Sequence, residues 1–283
     1  MTLAATGDLV ADAVRARSAV LAFNVITLEH AEGIAGGLEA AGVPGILQVS
    51  ENAVRFHGGR MAPLLAACRE VAAASDIPIA VHLDHVQDLA LARAVVADAE
   101  RLGISSLMVD AAHLDYPENV ATTADLVGAG HDASLWVEAE LGAIGGKDGA
   151  HAPGVRTDPD EAASFVARTG VDGLAVAVGS SHAMTTATAE LDLDLIARLA
   201  ARLPVPLVLH GSSGVPLGTL RAAVAGGVRK INVGTALNVG YTAQVRQYLA
   251  DDASVTDPRK YLTPARTAVR EVVDRLSTEV LRG

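Results

Sequence analysis

Residues 77–103, IPIAVHLDHVQDLALARAVVADAERLG, contain the unit that decides the fold. The stretch begins as an apolar run, continues as an Ala-rich helical pattern and ends on glycine, the residue expected just beyond a helix C-terminus. A strand that is apolar on both faces and is followed by a helix is typical of a parallel sheet. The stretch therefore predicts one β-α unit, whose strand ends in the polar cluster HLDH.

The same unit recurs along the chain. Eight apolar runs are strand candidates, at 21–25, 45–50, 77–85, 105–110, 135–140, 173–178, 205–210 and 230–234. The first run lacks the Gly-rich phosphate turn of a doubly wound sheet, so eight units favour an α/β fold of the (β/α)8 TIM-barrel type. Without a long linker, we expect a single domain over residues 1–283, with a C-terminal helical extension from about 263 to 281.

Composition excludes several classes of function. The net charge is −11, from 22 basic and 33 acidic residues, which argues against nucleic acid or an anionic membrane as partner. Cys68 is the only cysteine, so neither a disulfide framework within the chain nor a cysteine metal cluster is possible. The sequence has neither a signal-peptide core nor a long apolar run, so we expect a soluble, cytoplasmic protein.

Polar residues accumulate where the predicted strands end, which is where barrel enzymes carry their catalytic groups. Helix caps favour Ser, Thr, Asp and Asn, so capping does not account for three histidines at the ends of three elements. His85, His182 and His210 are therefore expected to form a zinc site with an open fourth position. The other polar strand ends are Asn24, Ser50, Asp84, Asp110, Glu138, Glu140 and Asn232.

The HLDH cluster divides into different roles. Alternation along a strand places His82 and Asp84 on the same face, while His85 should lie beyond the last paired residue and turn over the rim. Asp84 is then predicted to be the acid/base beside the metal, and His82 a hydrogen-bonded core histidine.

A phosphate site is predicted after the last two strands. In HGSSGVPLGTL (210–220) and NVGTAL (232–237), the Ser213 and Thr235 hydroxyls lie beside N–H groups at helix starts. The loops after strands seven and eight form the recurrent phosphate site of TIM barrels. Taken alone, either segment could instead be an ordinary tight turn without a bound phosphate.

The chain resembles the class II, metal-dependent fructose- and tagatose-bisphosphate aldolases. The motifs are AFNV, HLDH, SSLMVDAAH, VEAELGAIGG, VDGLAVAVGSSH, PLVLHGSSG, KINVGTAL and DPRKYLTPA. The resemblance implies that His85, His182 and His210 bind a divalent cation, normally zinc, with Asp110 and Glu140 at acidic positions near it. It also implies that Asp84 transfers the proton and that Gly211, Ser213, Asn232 and Thr235 hold the dihydroxyacetone phosphate portion of the substrate. Asn24 and Ser50, at the ends of strands one and two, are further candidate substrate contacts.

The implied reaction is reversible cleavage of a ketose (bis)phosphate into dihydroxyacetone phosphate and an aldehyde, by a homodimer or homotetramer. Three features depart from the family pattern. Ala183 follows His182 in a segment without lysine, GGKDG lacks the family's proton-exchanging glutamate, and Gly234 stands where many relatives carry Asp or Ala. Asp148 is the candidate replacement for that glutamate.

Several alternatives remain open from the sequence. One is an aldolase for another phosphorylated ketose, such as 6-phospho-5-dehydro-2-deoxygluconate. A Schiff-base aldolase needs a barrel lysine, and Lys147, Lys230 and Lys260 fall in a loop, at a strand start and in the tail. A metal-dependent barrel hydrolase usually carries His-x-His on its first strand, and the first strand candidate here, LAFNV, lacks this motif. A sugar-phosphate sensor on a decayed aldolase scaffold is the non-enzymatic alternative.

Overall fold

Eight parallel strands close into a barrel in chain order, as the sequence predicts. The computed structural model describes residues 3–141, 156–180 and 185–282. Pairing of β1 with β8 completes the ring. The strands β1 to β8 are Val20–Asn24, Gly45–Ser50, Ile79–Val86, Ser106–Val109, Trp136–Glu140, Gly173–Ala175, Leu207–Leu209 and Val228–Val233.

Two strands are shorter than their apolar runs. The run at 173–178 forms a ladder only over Gly173–Ala175, and the run at 205–210 only over Leu207–Leu209. Val176 and Val178 are nevertheless fully buried. Burial therefore extends beyond the last residue of β6, and hydrophobicity alone overestimates the strand lengths.

Helices surround the barrel and connect its strands. They are α1 Thr6–Ala16, α2 Leu28–Ala41, α3 Glu51–Phe56, α4 Met61–Ala74, α5 Leu89–Ala97, α6 Ala99–Leu102, α7 Tyr116–Asp132, α8 Pro159–Thr169, α9 Leu193–Arg202, α10 Leu217–Gly226, α11 Thr235–Asp251 and α12 Pro258–Leu281. The described part of the chain contains no helix that is both long and apolar enough to cross a membrane.

The C-terminal helix α12 begins before residue 263, the expected start. Asp257 caps it by accepting a hydrogen bond from the Arg259 N–H, and Pro258 occupies the first turn, where its missing N–H costs nothing. Pro264 lies inside the helix rather than at its beginning. The sequence estimate placed the start too close to this second proline.

Helices α2 and α12 approach each other at backbone distance. A Cβ added at Gly37 would lie 2.6 Å from both the Arg270 carbonyl oxygen and the Val273 Cβ, and one added at Gly33 would lie 2.8 Å from the Arg266 carbonyl oxygen. Only glycine fits at such contacts, so these two residues allow α12 to pack against the first β-α unit.

Helix α1 closes the barrel at the end where the strands begin. Leu9 and Val10 pack against Val20, Ile46 and Ala80 of the strands. A cavity opens at the opposite end, where the strands finish.

Candidate active site

A cavity of about 480 Å³ lies at the C-terminal ends of the strands. It is lined by every sequence-predicted site residue that the structure describes: Asn24, Ser50, Asp84, His85, Asp110, Glu140, His210, Gly211, Ser213, Asn232 and Thr235. His182 and Asp148 lie outside the described residues. The residues that the sequence assigned to metal, acid/base and substrate roles are thus brought together on one cavity wall.

His85 reaches the cavity by a route that the sequence did not predict. The expectation that His85 lies beyond the last paired residue of strand three is wrong, because β3 continues through Val86, which pairs with Val109 of β4. The pairing with β4 shifts register between Leu83 and Val86, and His85 adopts φ 50°. Such irregularities re-aim side chains next to active sites, and a left-handed non-glycine residue stores strain. The bulge turns His85 towards the cavity.

Two imidazoles face each other across the barrel, from β3 and from just after β7. His85 Nε2 lies 2.9 Å from His210 Nδ1, and the rings are nearly perpendicular. Two nitrogen ligands of a tetrahedral zinc ion, each at about 2.0–2.1 Å, are about 3.3 Å apart. The two nitrogens are therefore close to the separation that a bound cation needs.

The opposite nitrogen of each ring is held by a carboxylate. Asp110 Oδ2 lies 3.0 Å from His85 Nδ1, and Glu138 Oε1 lies 2.8 Å from His210 Nε2. A carboxylate only accepts, so these contacts place protons on the outer nitrogens, and the facing nitrogens are the ones that a cation would bind. Asn232 Nδ2 also lies 3.0 Å from His210 Nε2, but the charged Glu138 is the stronger partner and decides the tautomer.

Asp84 completes the group. Ligand atoms of Asp84, His85 and His210 all lie within 4.8 Å of one another. Asp84 is almost completely buried, and its two oxygens receive hydrogen bonds from Gln48 Nε2 at 3.0 Å and Asn232 Nδ2 at 3.3 Å. Asp84 therefore lies beside the facing imidazole nitrogens and is held by two amides.

Charges in the site perturb one another strongly. Burial opposes ionisation of Asp84, but the charge of His85 together with the contacts of His82 and His210 outweighs it and holds the pKa of this carboxyl well below its usual range. Burial alone would also lower the pKa of His85, yet the charge of Asp84 and the hydrogen bond that His85 donates to Asp110 raise it to about 10. Without a cation, the site therefore holds a positive His85 against a negative Asp84.

His82 lies one layer deeper, as the alternation along β3 predicts. It is fully buried, and its Nδ1 lies 2.8 Å from Ser106 Oγ. Ser106 in turn donates to Thr6 Oγ1 of α1 at 2.7 Å. These contacts connect His82 to the closed end of the barrel.

Three buried residues beneath the site, Gln48, Glu138 and Lys230, were missed or left without a role in the sequence reasoning. Lys230 Nζ lies in the barrel interior, within 2.9 Å of Glu138 Oε2, 2.6 Å of Asn232 Oδ1 and 3.4 Å of Gln48 Oε1. The sequence signal that could have identified Lys230 is a charged residue inside the otherwise largely apolar strand β8. Lys230 is not among the described residues that line the cavity, and so it is not placed to attack a substrate carbonyl.

The predicted phosphate end lies at the loops after β7 and β8. Gly211 adopts φ 67° and precedes a short 3-10 turn, Ser212–Gly214. Ser213 Oγ accepts from the Ala236 N–H at 3.1 Å, which joins this turn to the first turn of α11. A Cβ at Gly234 would lie 3.0 Å from Asn24 Nδ2, so a small residue preserves the close approach of β1 and the α11 start.

A cation that the sequence reasoning did not select stands on the cavity wall. Arg55 of α3 is the only Arg or Lys among the described lining residues. It forms an ion pair with Glu51, whose other oxygen accepts the backbone N–H groups of Gln87 at 2.6 Å and Asp88 at 2.9 Å. Glu51 thereby connects Arg55 to the loop that follows the bulge of β3.

The barrel, with its active-site residues at the C-terminal ends of the strands, belongs to a known family of enzymes. The family model "Fructose-bisphosphate aldolase class-II" matches residues 4–281, and the chain belongs to this family, whose members generally depend on a metal ion. The protein is therefore a lyase of the ketose-bisphosphate aldolase type.

Individual relatives agree with this assignment. The D-tagatose-1,6-bisphosphate aldolase subunit GatY of Klebsiella oxytoca is 34% identical over 281 residues, which cover 98% of this chain and 96% of that protein. The crystal structure of the YdjI aldolase from Escherichia coli K12 is 28% identical with a TM-score of 0.83, covering 99% of this chain and 97% of that one. Fructose-bisphosphate aldolase from Campylobacter jejuni has the same TM-score at 20% identity, covers 99% and 96% respectively, and shows likeness of fold alone.

Proposed function

We propose that this protein is a zinc-dependent aldolase that reversibly cleaves a ketose (bis)phosphate into dihydroxyacetone phosphate and an aldehyde. The observation that carries the proposal is the arrangement of His85 Nε2, His210 Nδ1 and the Asp84 carboxylate, whose ligand atoms lie within 4.8 Å of one another. Membership of the class II aldolase family supports the proposal that this arrangement is the reacting centre. The working unit is the whole chain, residues 1–283, as a cytoplasmic homodimer or homotetramer.

The cation site consists of His85 and His210, with His182 as the proposed third ligand. Asp110 and Glu138 hold the outer nitrogens of the two described rings. A bound divalent cation supplies Lewis-acid stabilisation of negative charge on the substrate oxygens. Glu140, also on the cavity wall, is the proposed alternate cation position.

Asp84 is the proposed general base for cleavage. It accepts the proton of the C4 hydroxyl as the bond between C3 and C4 breaks, and returns that proton during condensation. Its lowered pKa fits the cleavage direction, in which it must begin as a carboxylate. Asp148 is proposed to serve proton exchange at C3, in place of the glutamate that GGKDG lacks.

The C1 phosphate is proposed to bind between the loops after β7 and β8. Gly211, Ser213 and Thr235 line this end of the cavity, where the first turn of α11 offers backbone N–H groups. Asn24, Ser50 and Asn232 are proposed to hold the substrate hydroxyls. Arg55 is the only Arg or Lys among the described lining residues, so a distal phosphate or other anionic group is proposed to bind beside α3, where it would compete with Glu51 for this side chain.

The choice among ketoses follows from the departures in the loops. Tagatose 1,6-bisphosphate is the first candidate, since a relative at 34% identity is named for it. The lysine-free segment after His182 favours a substrate other than fructose 1,6-bisphosphate. 6-Phospho-5-dehydro-2-deoxygluconate is a further candidate.

A panel of phosphorylated ketoses tests the proposal. Release of dihydroxyacetone phosphate is measured by coupled reduction, with purified protein before and after treatment with a chelator, and after re-addition of zinc. Cleavage of at least one ketose phosphate that disappears with the chelator and returns with zinc is expected. Cleavage that survives complete metal removal would contradict the metal-dependent mechanism, and no cleavage across the panel would contradict the aldolase proposal.

A further inference from the structure

Lys230 is a fully buried cation whose three contacts are all oxygen atoms. An ammonium group has three donors and no acceptor. The side-chain amides of Asn232 and Gln48 must therefore turn their oxygens, not their nitrogens, towards Lys230. This orientation follows from the chemistry of the lysine and does not depend on how amide atoms are assigned.

The orientation has a consequence on the other side of both amides. With its oxygen on Lys230, Gln48 presents Nε2 to Asp84 Oδ2 at 3.0 Å. Asn232 in the same way presents Nδ2 to Asp84 Oδ1 at 3.3 Å. Both oxygens of the carboxylate are thus held by donors whose direction is set by one lysine.

We propose that Lys230 is a positioning residue for proton transfer: through the amides of Gln48 and Asn232 it fixes the Asp84 carboxylate in the orientation that accepts the substrate proton. The proposal rests on the proposed function, in which Asp84 is the general base. Lys230 contacts neither the cavity nor Asp84 itself, so its effect must pass through the two amides.

A merely structural role is the competing explanation. Lys230 Nζ also lies 2.9 Å from Glu138 Oε2, and a buried carboxylate needs a compensating charge. The two explanations differ in what they require. Charge compensation requires a positive charge only while Glu138 is negative, whereas orientation of the amides requires the lysine donors whether or not Glu138 is charged.

Lys230→Met in the full-length, zinc-loaded protein is the first test, because methionine is unbranched, is only one atom shorter than lysine and removes all donors. We expect kcat for the best ketose phosphate to fall by about tenfold or more, since small misplacement of a reacting group costs rates of this order. KM and zinc affinity should stay within about twofold of wild type. Lys260→Met, at an exposed position of α12, is the matched control and should keep kcat.

A double-mutant cycle with Glu138→Gln separates the two explanations. If Lys230 orients the amides, Lys230→Met lowers kcat by a similar factor in the wild-type and Glu138→Gln backgrounds. If Lys230 only compensates charge, the loss disappears in the Glu138→Gln background, and the proposal is overturned. The double variant retains a balanced core, so it also supplies the measurement if the single variant does not fold.

The outcomes distinguish this inference from the function on which it rests. A wild type that cleaves no ketose phosphate overturns both. A wild type that cleaves one, together with a Lys230→Met variant whose kcat is within about twofold of it, overturns the inference alone. A fall in zinc affinity that accounts for the whole loss of kcat would also overturn it, because the effect would then run through the cation site.

Discussion

Glu138→Gln is expected to weaken metal binding without changing the shape of the site. Glu138 is completely buried between two partners, accepting from His210 Nε2 at 2.8 Å and from Lys230 Nζ at 2.9 Å. In the variant the amide oxygen stays with Lys230, so the amide nitrogen must face His210 Nε2. The proton of the imidazole then moves to Nδ1, the nitrogen that faces His85 and would otherwise bind the cation.

The size of the effect follows from these contacts. Loss of a carboxylate that orients a metal-binding histidine typically costs about 10–100-fold in metal affinity, or about 1.4–2.7 kcal/mol. The metal-free protein should also lose stability, since breaking a buried ion pair costs about 3–5 kcal/mol. In the variant, Lys230 keeps its hydrogen bonds to the oxygens of Asn232 and Gln48, so we expect the loss of stability to lie at the lower end of that range.

Competition against a chromogenic chelator measures the zinc Kd, and thermal unfolding of the metal-free protein measures the stability. Glu100→Gln, an exposed position on the outside of the barrel, is the control and should change neither. A zinc Kd for Glu138→Gln within about twofold of wild type would refute the argument that this carboxylate sets the His210 tautomer.

Three further predictions concern the rim of the barrel. Asp84→Asn should keep zinc, measured by elemental content, yet lose at least about 10²-fold in ketose cleavage; near wild-type turnover would make Asp84 structural. Arg55→Met should raise KM for ketose bisphosphates by about tenfold and leave KM for ketose 1-phosphates unchanged, and an equal change for both would remove Arg55 from distal anion binding. Because the pKa of His85 is raised from 6.5 to about 10, its charge stabilises the metal-free protein fully below pH 6.5, and this stabilisation is lost as the pH rises towards 10. Zinc must displace the same proton, so its affinity should increase with pH across this window, and a flat profile in buffered titrations would contradict the assignment.

The fold could be predicted because its signals are local. Each apolar run followed by a helical pattern specifies a β-α unit by itself, and eight of them leave few alternatives to a barrel. The predicted ends of the strands and helices were less accurate. Val176 and Val178 are buried beyond the last residue of β6, and α12 begins at Pro258, earlier than the expected start at about residue 263.

The site was predictable only in part. Asp84 and His210 occupy strand ends that the sequence identifies directly. The turn of His85 into the cavity depends on a register shift between β3 and β4, which regular alternation does not contain. Lys230 and Glu138 come from β8 and β5, and their contact depends on how the strands stagger around the whole ring. Such a contact is a property of barrel closure and not of any one segment.

The glycine contacts between α2 and α12 bear on how the chain is made. Gly33 and Gly37 belong to the first β-α unit, whereas the backbone they touch belongs to the final helix, Pro258–Leu281. At roughly 5–20 residues per second, a ribosome completes α2 on the order of tens of seconds before the helix that covers it. During that interval the glycine face of α2 has no native partner. Release of the final helix from the ribosome exit tunnel therefore precedes the packing of this glycine face, and the first unit stays incompletely covered until then.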